Sequence, residues 1–239
     1  MRKIVLTLML ALAGCVETVP QAPAPVPEPV PRTQPAPAQL GSKAAVRNFL
    51  AVVRRMEPLA ERECLARTRN VPCDFQIVVD DRPGQPPNAF QTLDRQGRPI
   101  IAFTSALIAD ARNQDELAFI MGHEAAHHIL GHIPRQRETA TAGAVLGGLL
   151  ATVIGVDASG IQTAERIGAT VGARTYSKNF ELEADQLGTI IAAHAGYNPV
   201  RGAAYFSRIP DPGDQFLGTH PPNAERIKVV RQTAARLGY

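Results

Sequence analysis

The feature that most constrains the fold of this chain is a pair of histidines inside an apolar helical segment. His123 and His127 stand four residues apart in the run His-Glu-Ala-Ala-His. Residues at this spacing lie on one face of an α-helix. Apolar positions surround the pair at the spacing of a packed helix: Leu117, Phe119, Ile120, Ile129 and Leu130. The segment therefore predicts a helix that presents two imidazoles side by side.

Two imidazoles on one helical face can supply two of the four ligands of a tetrahedral metal site. Neutral imidazole nitrogen in tetrahedral geometry suits Zn²⁺. Glu124 lies about 100° further round the helix, where its carboxylate can accept a proton from a water without binding the metal. The alternative is a surface helix with unrelated histidines, which the apolar neighbours and an acidic cluster downstream disfavour. The pattern predicts a catalytic zinc site, one ion per chain, with Glu124 as general base.

A catalytic zinc site needs a third protein ligand and an open position for water. The acidic cluster Glu181, Glu183 and Asp185 is the candidate. Glu181 and Asp185 share a helical face, whereas Glu183 points roughly to the opposite side. One of the pair then serves as ligand and the other as its partner, and a carboxylate that accepts the second N–H of a metal-bound imidazole suits Asp185. The alternative is a solvated acidic helix start.

The motif HEAAH, followed about fifty residues later by ELEAD, resembles the gluzincin family of the CAAX prenyl proteases, the heat-shock membrane protease HtpX and the periplasmic beta-barrel assembly-enhancing protease. The resemblance covers about residues 42–238. It implies that Glu181 is the third zinc ligand and that Asp185 supports the site. It also implies a small periplasmic member without a repeat domain or multiple membrane spans.

The segment from His220 to Arg226 resembles the histidine-proline segment of the same family. The resemblance implies that His220 lies near the open metal position and that Arg226 supports the acidic site residues. A histidine on a proline-rich loop can donate to an oxyanion or cap the metal at rest. The alternative is a turn histidine before the last helix.

The run Asn88-Ala89-Phe90 resembles the strand that lies beside the cleft in this family. An exposed edge strand can bind an extended peptide by β-addition. An ordinary sheet strand explains the same residues equally well. Of the remaining histidines, His128 lies off the metal face and His194 is interpreted as a surface residue. His132 could lie near the site, but a polar residue at a helix end is the favoured interpretation.

The first forty-one residues predict export and anchoring rather than fold. Residues 1–14 carry two basic residues and an apolar run too short to span a bilayer, which is typical of a signal peptide. Their last three residues and Cys15 form a Leu-Ala-Gly-Cys sequence that looks like a bacterial lipobox, so lipidation of Cys15 is expected. The alternative is a secretory signal cut elsewhere. Val16 instead of Asp after the cysteine favours the outer membrane, by resemblance to lipoprotein sorting.

Residues 15–41 form the lipidated cysteine and a linker, because alternating prolines exclude helix and sheet ladders. Residues 42–239 are the predicted metallopeptidase domain. Strands are expected at 75–80, 88–93 and 99–103, and the motif helix between Asn113 and about Pro134. Two helices are expected within 139–173. The fold class is α+β: a mostly helical zincin-like domain with one small sheet beside the active-site helix.

An oxidising compartment makes a disulfide between Cys64 and Cys73 plausible, with two packed thiols as the alternative. Residues 140–156 are almost uncharged, which favours a buried or membrane-touching helix over a true span. Without residues 1–14 the chain has 23 basic and 22 acidic residues and no basic stripe with aromatics, which disfavours nucleic-acid binding.

The function expected from these residues is a periplasmic, lipid-anchored zinc endopeptidase. The resemblance implies unfolded or misassembled envelope proteins as substrates and a role in protein quality control. The alternative is a non-proteolytic chaperone or assembly lipoprotein with a zinc site latched by His220. Nothing in the sequence predicts the oligomeric state.

Overall fold

The computed structural model describes residues 42–175, 177–211, 213 and 220–239. The predicted signal segment, Cys15 and the proline-rich linker lie outside them. The described residues contain a 3₁₀-helix, Ala203–Ser207, three strands and eight α-helices. The strands are β1 Gln76–Asp80, β2 Ala89–Leu93 and β3 Pro99–Thr104. The helices are α1 Ser42–Arg67, α2 Ser105–Asp110, α3 Gln114–Ile129, α4 His132–Val153, α5 Ala158–Thr175, α6 Ser177–His194, α7 Pro199–Gly202 and α8 Asn223–Arg236.

The three strands form one small mixed sheet in the order β1-β3-β2. β1 runs parallel to β3, and β2 runs antiparallel to it, with Ala89 opposite Phe103. β3 is almost entirely buried, as expected for a central strand, and β2 is an edge strand. The predicted fold class, α+β and mostly helical with one small sheet, is confirmed.

Helix α3 lies in the middle of the core. It packs against α1, α6, α7 and the sheet, and nearly all of its side chains are buried. Its N-cap is Asn113, whose side chain accepts the N–H of Glu116 at 3.1 Å. The carboxylate of Glu116 accepts the backbone N–H of Arg112, one residue before the cap, at 2.9 Å, and two hydrogen bonds from Arg208 at 2.7 and 2.8 Å. Glu116 thus satisfies a backbone N–H at the start of α3 and also pairs with Arg208.

The predicted end of the motif helix near Pro134 is wrong. Helix α3 ends at Ile129, and α4 begins two residues after Leu130, at His132. Gly131 makes the break, with a φ of 65° that side chains rarely adopt. Pro134 lies in the first turn of α4, where its missing N–H has no helical partner to lose. The break redirects His132, with consequences for the site.

Helices α4 and α5 form an antiparallel pair, longer than the two helices expected within 139–173. Residues 140–156 are not a buried helix, since only Gly148 and Ala151 of this stretch are buried. Val153 and Ile154 are each 75% exposed. Among the helices that the structure describes, none is long and apolar enough to cross a membrane. Contact of this stretch with a membrane surface stays a prediction.

The disulfide expected from the sequence joins Cys64, near the end of α1, to Cys73, just before β1. Both cysteines are buried, and they belong to the same hydrophobic core as α3. The bond ties the chain entering the sheet to the helix that packs behind it.

Candidate active site

Two helices supply a compact set of metal-binding atoms. Helix α3 places Nε2 of His123 and Nε2 of His127 3.0 Å apart. Helix α6 brings the carboxylate of Glu181 to 3.5 Å from His123 Nε2 and 3.4 Å from His127 Nε2. These residues form the one group of histidine, cysteine and acidic ligands, among the described residues, arranged to hold a metal ion.

The donor atoms fit a zinc ion. Zinc–nitrogen and zinc–oxygen distances of about 2.0–2.1 Å in a tetrahedral site place neighbouring donors about 3.3 Å apart. The three separations between His123, His127 and Glu181 lie on either side of this value. Two imidazoles and one carboxylate are also a donor set typical of catalytic zinc, which retains one position for water.

Asp185 lies one helical turn beyond Glu181 and is fully buried. Its Oδ1 is 2.9 Å from His123 Nδ1, so it accepts the ring N–H that is not needed for the metal. Burial lowers the pKa of His123, but hydrogen bonds with Asp185 and Glu181 outweigh it and raise that pKa to about 10. The surroundings of this ring are therefore negative and favour a cation.

Arg226, from α8, neutralises part of this negative charge. Its guanidinium donates two hydrogen bonds of 2.7 Å to the two carboxylate oxygens of Asp185. It also lies 3.4 Å from Glu181 Oε2 and 4.0 Å over the ring of Phe206. Burial alone would raise the pKa of Asp185, but Arg226 and His123 hold it below its usual range. The structure thus places the residues of three distant motifs in one buried cluster.

Glu124 and His220 lie at the edge of this cluster, on the open side. Glu124 is half-buried and lines the same cleft as the three metal-binding residues. His220 is more exposed, and its Nδ1 is 3.1 Å from Glu181 Oε2. A group that moves protons needs access to substrate and water, which both positions provide.

The cleft has a volume of about 610 Å³. It is lined by the face of α3 that carries His123, Glu124 and His127, and by the edge strand β2 with Asn88, Ala89 and Phe90. Residues of α4, α6, the 3₁₀-helix, α8 and the segment before α8 also contribute to the lining. Asn88 is fixed by its backbone N–H, which donates to Thr104 Oγ1 at 2.9 Å. β2 and the three residues that could hold the metal therefore line the same cleft.

His132 and Glu183, neither of which was assigned to the site from the sequence, lie directly behind His127. His132 Nδ1 is 2.8 Å from His127 Nδ1, and His132 Nε2 is 3.2 Å from Glu183 Oε2. Burial, followed by the charge of His127, lowers the pKa of His132 to about 4. The other two histidines lie away from the metal-binding face, as predicted: His128 bonds to the Pro72 carbonyl and His194 to Glu63.

Two glycines that the sequence analysis also missed let α3 and α6 touch beside the site. A Cβ on Gly188 would lie 2.7 Å from the backbone nitrogen of His123, and one on Gly122 would lie 2.7 Å from the Gly188 carbonyl oxygen. Neither distance is tolerated by a real side chain. The close approach of the two backbones sets the distance from Glu181 and Asp185 to the histidines.

We expect Gly188→Ala to destabilise the fold by about 1–3 kcal/mol, because the added methyl group must push α6 away from α3. The same displacement is expected to weaken zinc binding. Urea unfolding and zinc titration measure the two effects. Gly148→Ala is the matched control, since the nearest atoms to its Cβ belong to the flexible Glu165 side chain. Unchanged stability and zinc affinity in Gly188→Ala would contradict this account of the helix contact.

The fold is that of a zinc metalloendopeptidase, and His123, His127 and Glu181 are the residues that could hold the metal ion. Residues 48–234 match the profile of peptidase family M48, and the chain belongs to that family.

Three relatives share this domain. The putative beta-barrel assembly-enhancing protease of Vibrio cholerae is 32% identical over 149 residues, 56% of this chain and 30% of the relative. The mitochondrial metalloendopeptidase OMA1 of Saccharomyces cerevisiae is 29% identical over 167 residues, 64% and 45% of the two chains. The beta-barrel assembly-enhancing protease of Yersinia pestis is 25% identical over 185 residues, 72% and 36%. The alignments cover less than half the length of each relative.

Proposed function

We propose that this chain is a zinc-dependent endopeptidase of the bacterial cell envelope that hydrolyses peptide bonds with water activated by Glu124. The observation that carries the proposal is the meeting of His123, His127 and Glu181 with Glu124 along one cleft. Metal ligands alone would suit a structural zinc site. A carboxylate beside them, on the open side and outside the ligand set, suits catalysis.

Each residue has a role that its position supports. Zinc, when bound, supplies Lewis acidity that polarises the scissile carbonyl and acidifies the attacking water. Glu124 accepts the proton of that water and delivers it to the leaving amine. His220, at the rim of the cleft, donates a hydrogen bond to the oxygen that becomes negative. Asp185 and Arg226 keep His123 and Glu181 in place from behind.

The substrates that fit this cleft are unfolded or misassembled proteins. The edge of β2 offers backbone hydrogen-bonding groups to an extended chain, and backbone pairing tolerates many sequences. A folded substrate would have to expose a free strand before it could enter. The role that follows is quality control of envelope or outer-membrane proteins.

The expected location supports the same role. The predicted lipobox would anchor Cys15 to a membrane, with outer-membrane sorting favoured by Val16. Two of the relatives carry the name beta-barrel assembly-enhancing protease, from Vibrio cholerae and Yersinia pestis. OMA1 is named as a mitochondrial enzyme, so the family alone does not define the compartment.

Metal removal tests the proposal. The purified full chain is expected to contain one zinc ion and to cleave casein, to lose cleavage after treatment with a chelator, and to regain it with one equivalent of Zn²⁺. Retained cleavage in the zinc-free protein would contradict the proposal. If the protein contains stoichiometric zinc but does not cleave casein, His220→Ala distinguishes two cases. Cleavage that appears in this variant would indicate an enzyme inhibited by His220, and no cleavage would support the non-proteolytic alternative.

A further inference from the structure

We propose that His132 and Glu183 are positioning residues for the metal site, which hold His127 in the one tautomer able to bind zinc through Nε2. This inference deepens the proposed function and rests on its zinc site. It assigns a role to two residues that are not among the three that could hold the metal.

The three side chains form a continuous line of hydrogen bonds. His127 presents Nε2 to His123 and Glu181, which leaves Nδ1 on the far side of its ring. That nitrogen is 2.8 Å from His132 Nδ1. The other nitrogen of His132 is 3.2 Å from the carboxylate of Glu183.

Only one arrangement of protons satisfies this line while His127 binds a metal. A metal-bound Nε2 carries no proton, so the proton of neutral His127 sits on Nδ1 and is donated to His132 Nδ1. His132 must then carry its own proton on Nε2, where the carboxylate of Glu183 accepts it. Glu183 therefore selects the tautomer of His132, and His132 selects the tautomer of His127.

The surroundings prevent His132 from turning away. The ring is 4% exposed and stacks on Phe180, with the ring centroids 4.6 Å apart and the planes within 10°. Arg135, one turn further along α4, donates to Glu183 at 2.7 Å and lies over the same Phe180 ring. Packing on Phe180 thus fixes His132, and the hydrogen bond from Arg135 fixes Glu183.

The break between α3 and α4 brings His132 close to both His127 and Glu183. In a continuous helix, His132 would lie five residues after His127 and about 140° round the axis from it. The break at Gly131 starts a new helix at His132 and returns its ring toward His127. Glu183 faces away from the metal on α6, as the helical periodicity predicts, and thereby faces α4.

The test compares two substitutions of His132 by zinc affinity, measured in competition with a chromophoric chelator. His132→Leu keeps the approximate volume but accepts no hydrogen bond, and we expect it to weaken zinc binding about 10- to 100-fold. His132→Asn places an amide oxygen close to the position of Nδ1, so it should recover much of the affinity. Glu183→Ala should have a smaller effect, because water can reach this half-exposed position.

His128→Leu is the matched control. His128 is buried on the same helix as His127, and its Nε2 donates to the Pro72 carbonyl at 2.6 Å. The substitution His128→Leu removes this hydrogen bond, so it should lower the melting temperature and leave the zinc affinity within about twofold of the wild type. This control separates a general loss of packing from a specific loss of the proton acceptor.

Equal zinc affinity in the wild type and in His132→Leu would overturn the inference, even if the wild type cleaves casein. Equal weakening by Leu and Asn would also overturn it, because it would indicate packing rather than hydrogen bonding. The expected order of affinities in a protein without peptidase activity would support the inference and contradict the proposed function instead.

Discussion

Glu124→Gln is expected to lower kcat for peptide cleavage by about 10²- to 10⁴-fold, the usual contribution of a general acid–base group. Glutamine has the shape of glutamate but cannot take the proton of the attacking water. His123, His127 and Glu181 are untouched, so the variant should bind zinc as the wild type does. The KM for substrate should change little, because substrate binding in the cleft does not depend on this proton transfer.

Steady-state cleavage of casein and the zinc content of the same preparation measure both quantities. Glu138→Gln is the matched control, since Glu138 is an exposed residue of α4 and its substitution should leave kcat unchanged. Full activity in Glu124→Gln would contradict the proposed mechanism. Loss of zinc from the variant would indicate that Glu124 is a zinc ligand. That result would contradict the position on the helix that the mechanism assigns to Glu124.

The histidine pair and the two motifs were predictable because their chemistry is local. His123 and His127 are neighbours on one turn of α3, and Glu181 and Asp185 on one turn of α6, so helical periodicity alone places each pair correctly. The strands were also placed to within one residue at each end, because turn residues bound their apolar runs. The spacing of the site residues and the turn residues around the apolar runs are sufficient to place these elements.

What the sequence did not reveal depends on contacts between distant segments. His132 was interpreted as a residue at the end of the motif helix, because a single glycine such as Gly131 within a helical pattern does not by itself predict that the helix ends. Glu183 was set aside because it faces away from the metal, which is true, but the partner it faces comes from α4. Gly122 and Gly188 touch only after α3 and α6 have packed. Each miss concerns how two helices meet.

Arg226→Ala is expected to lower the free energy of unfolding by about 3–5 kcal/mol, which is the usual cost of removing one partner from a buried ion pair. Asp185 is fully buried and would lose both hydrogen bonds from the guanidinium. The negative charges of Asp185 and Glu181 would then lie together with one cation fewer. Urea unfolding of the zinc-free protein measures this loss.

Two control variants help to interpret the loss of stability in Arg226→Ala, one at the same position and one elsewhere on α8. Arg226→Lys keeps the positive charge but not the two parallel hydrogen bonds, so an intermediate loss is expected. Arg231→Ala removes an exposed arginine from the same helix and should change stability by no more than about 0.5 kcal/mol. If Arg226→Ala were as stable as Arg231→Ala, the ion pair with Asp185 would not hold the site together. The geometry of the zinc ligands would then depend on the contact between α3 and α6 alone.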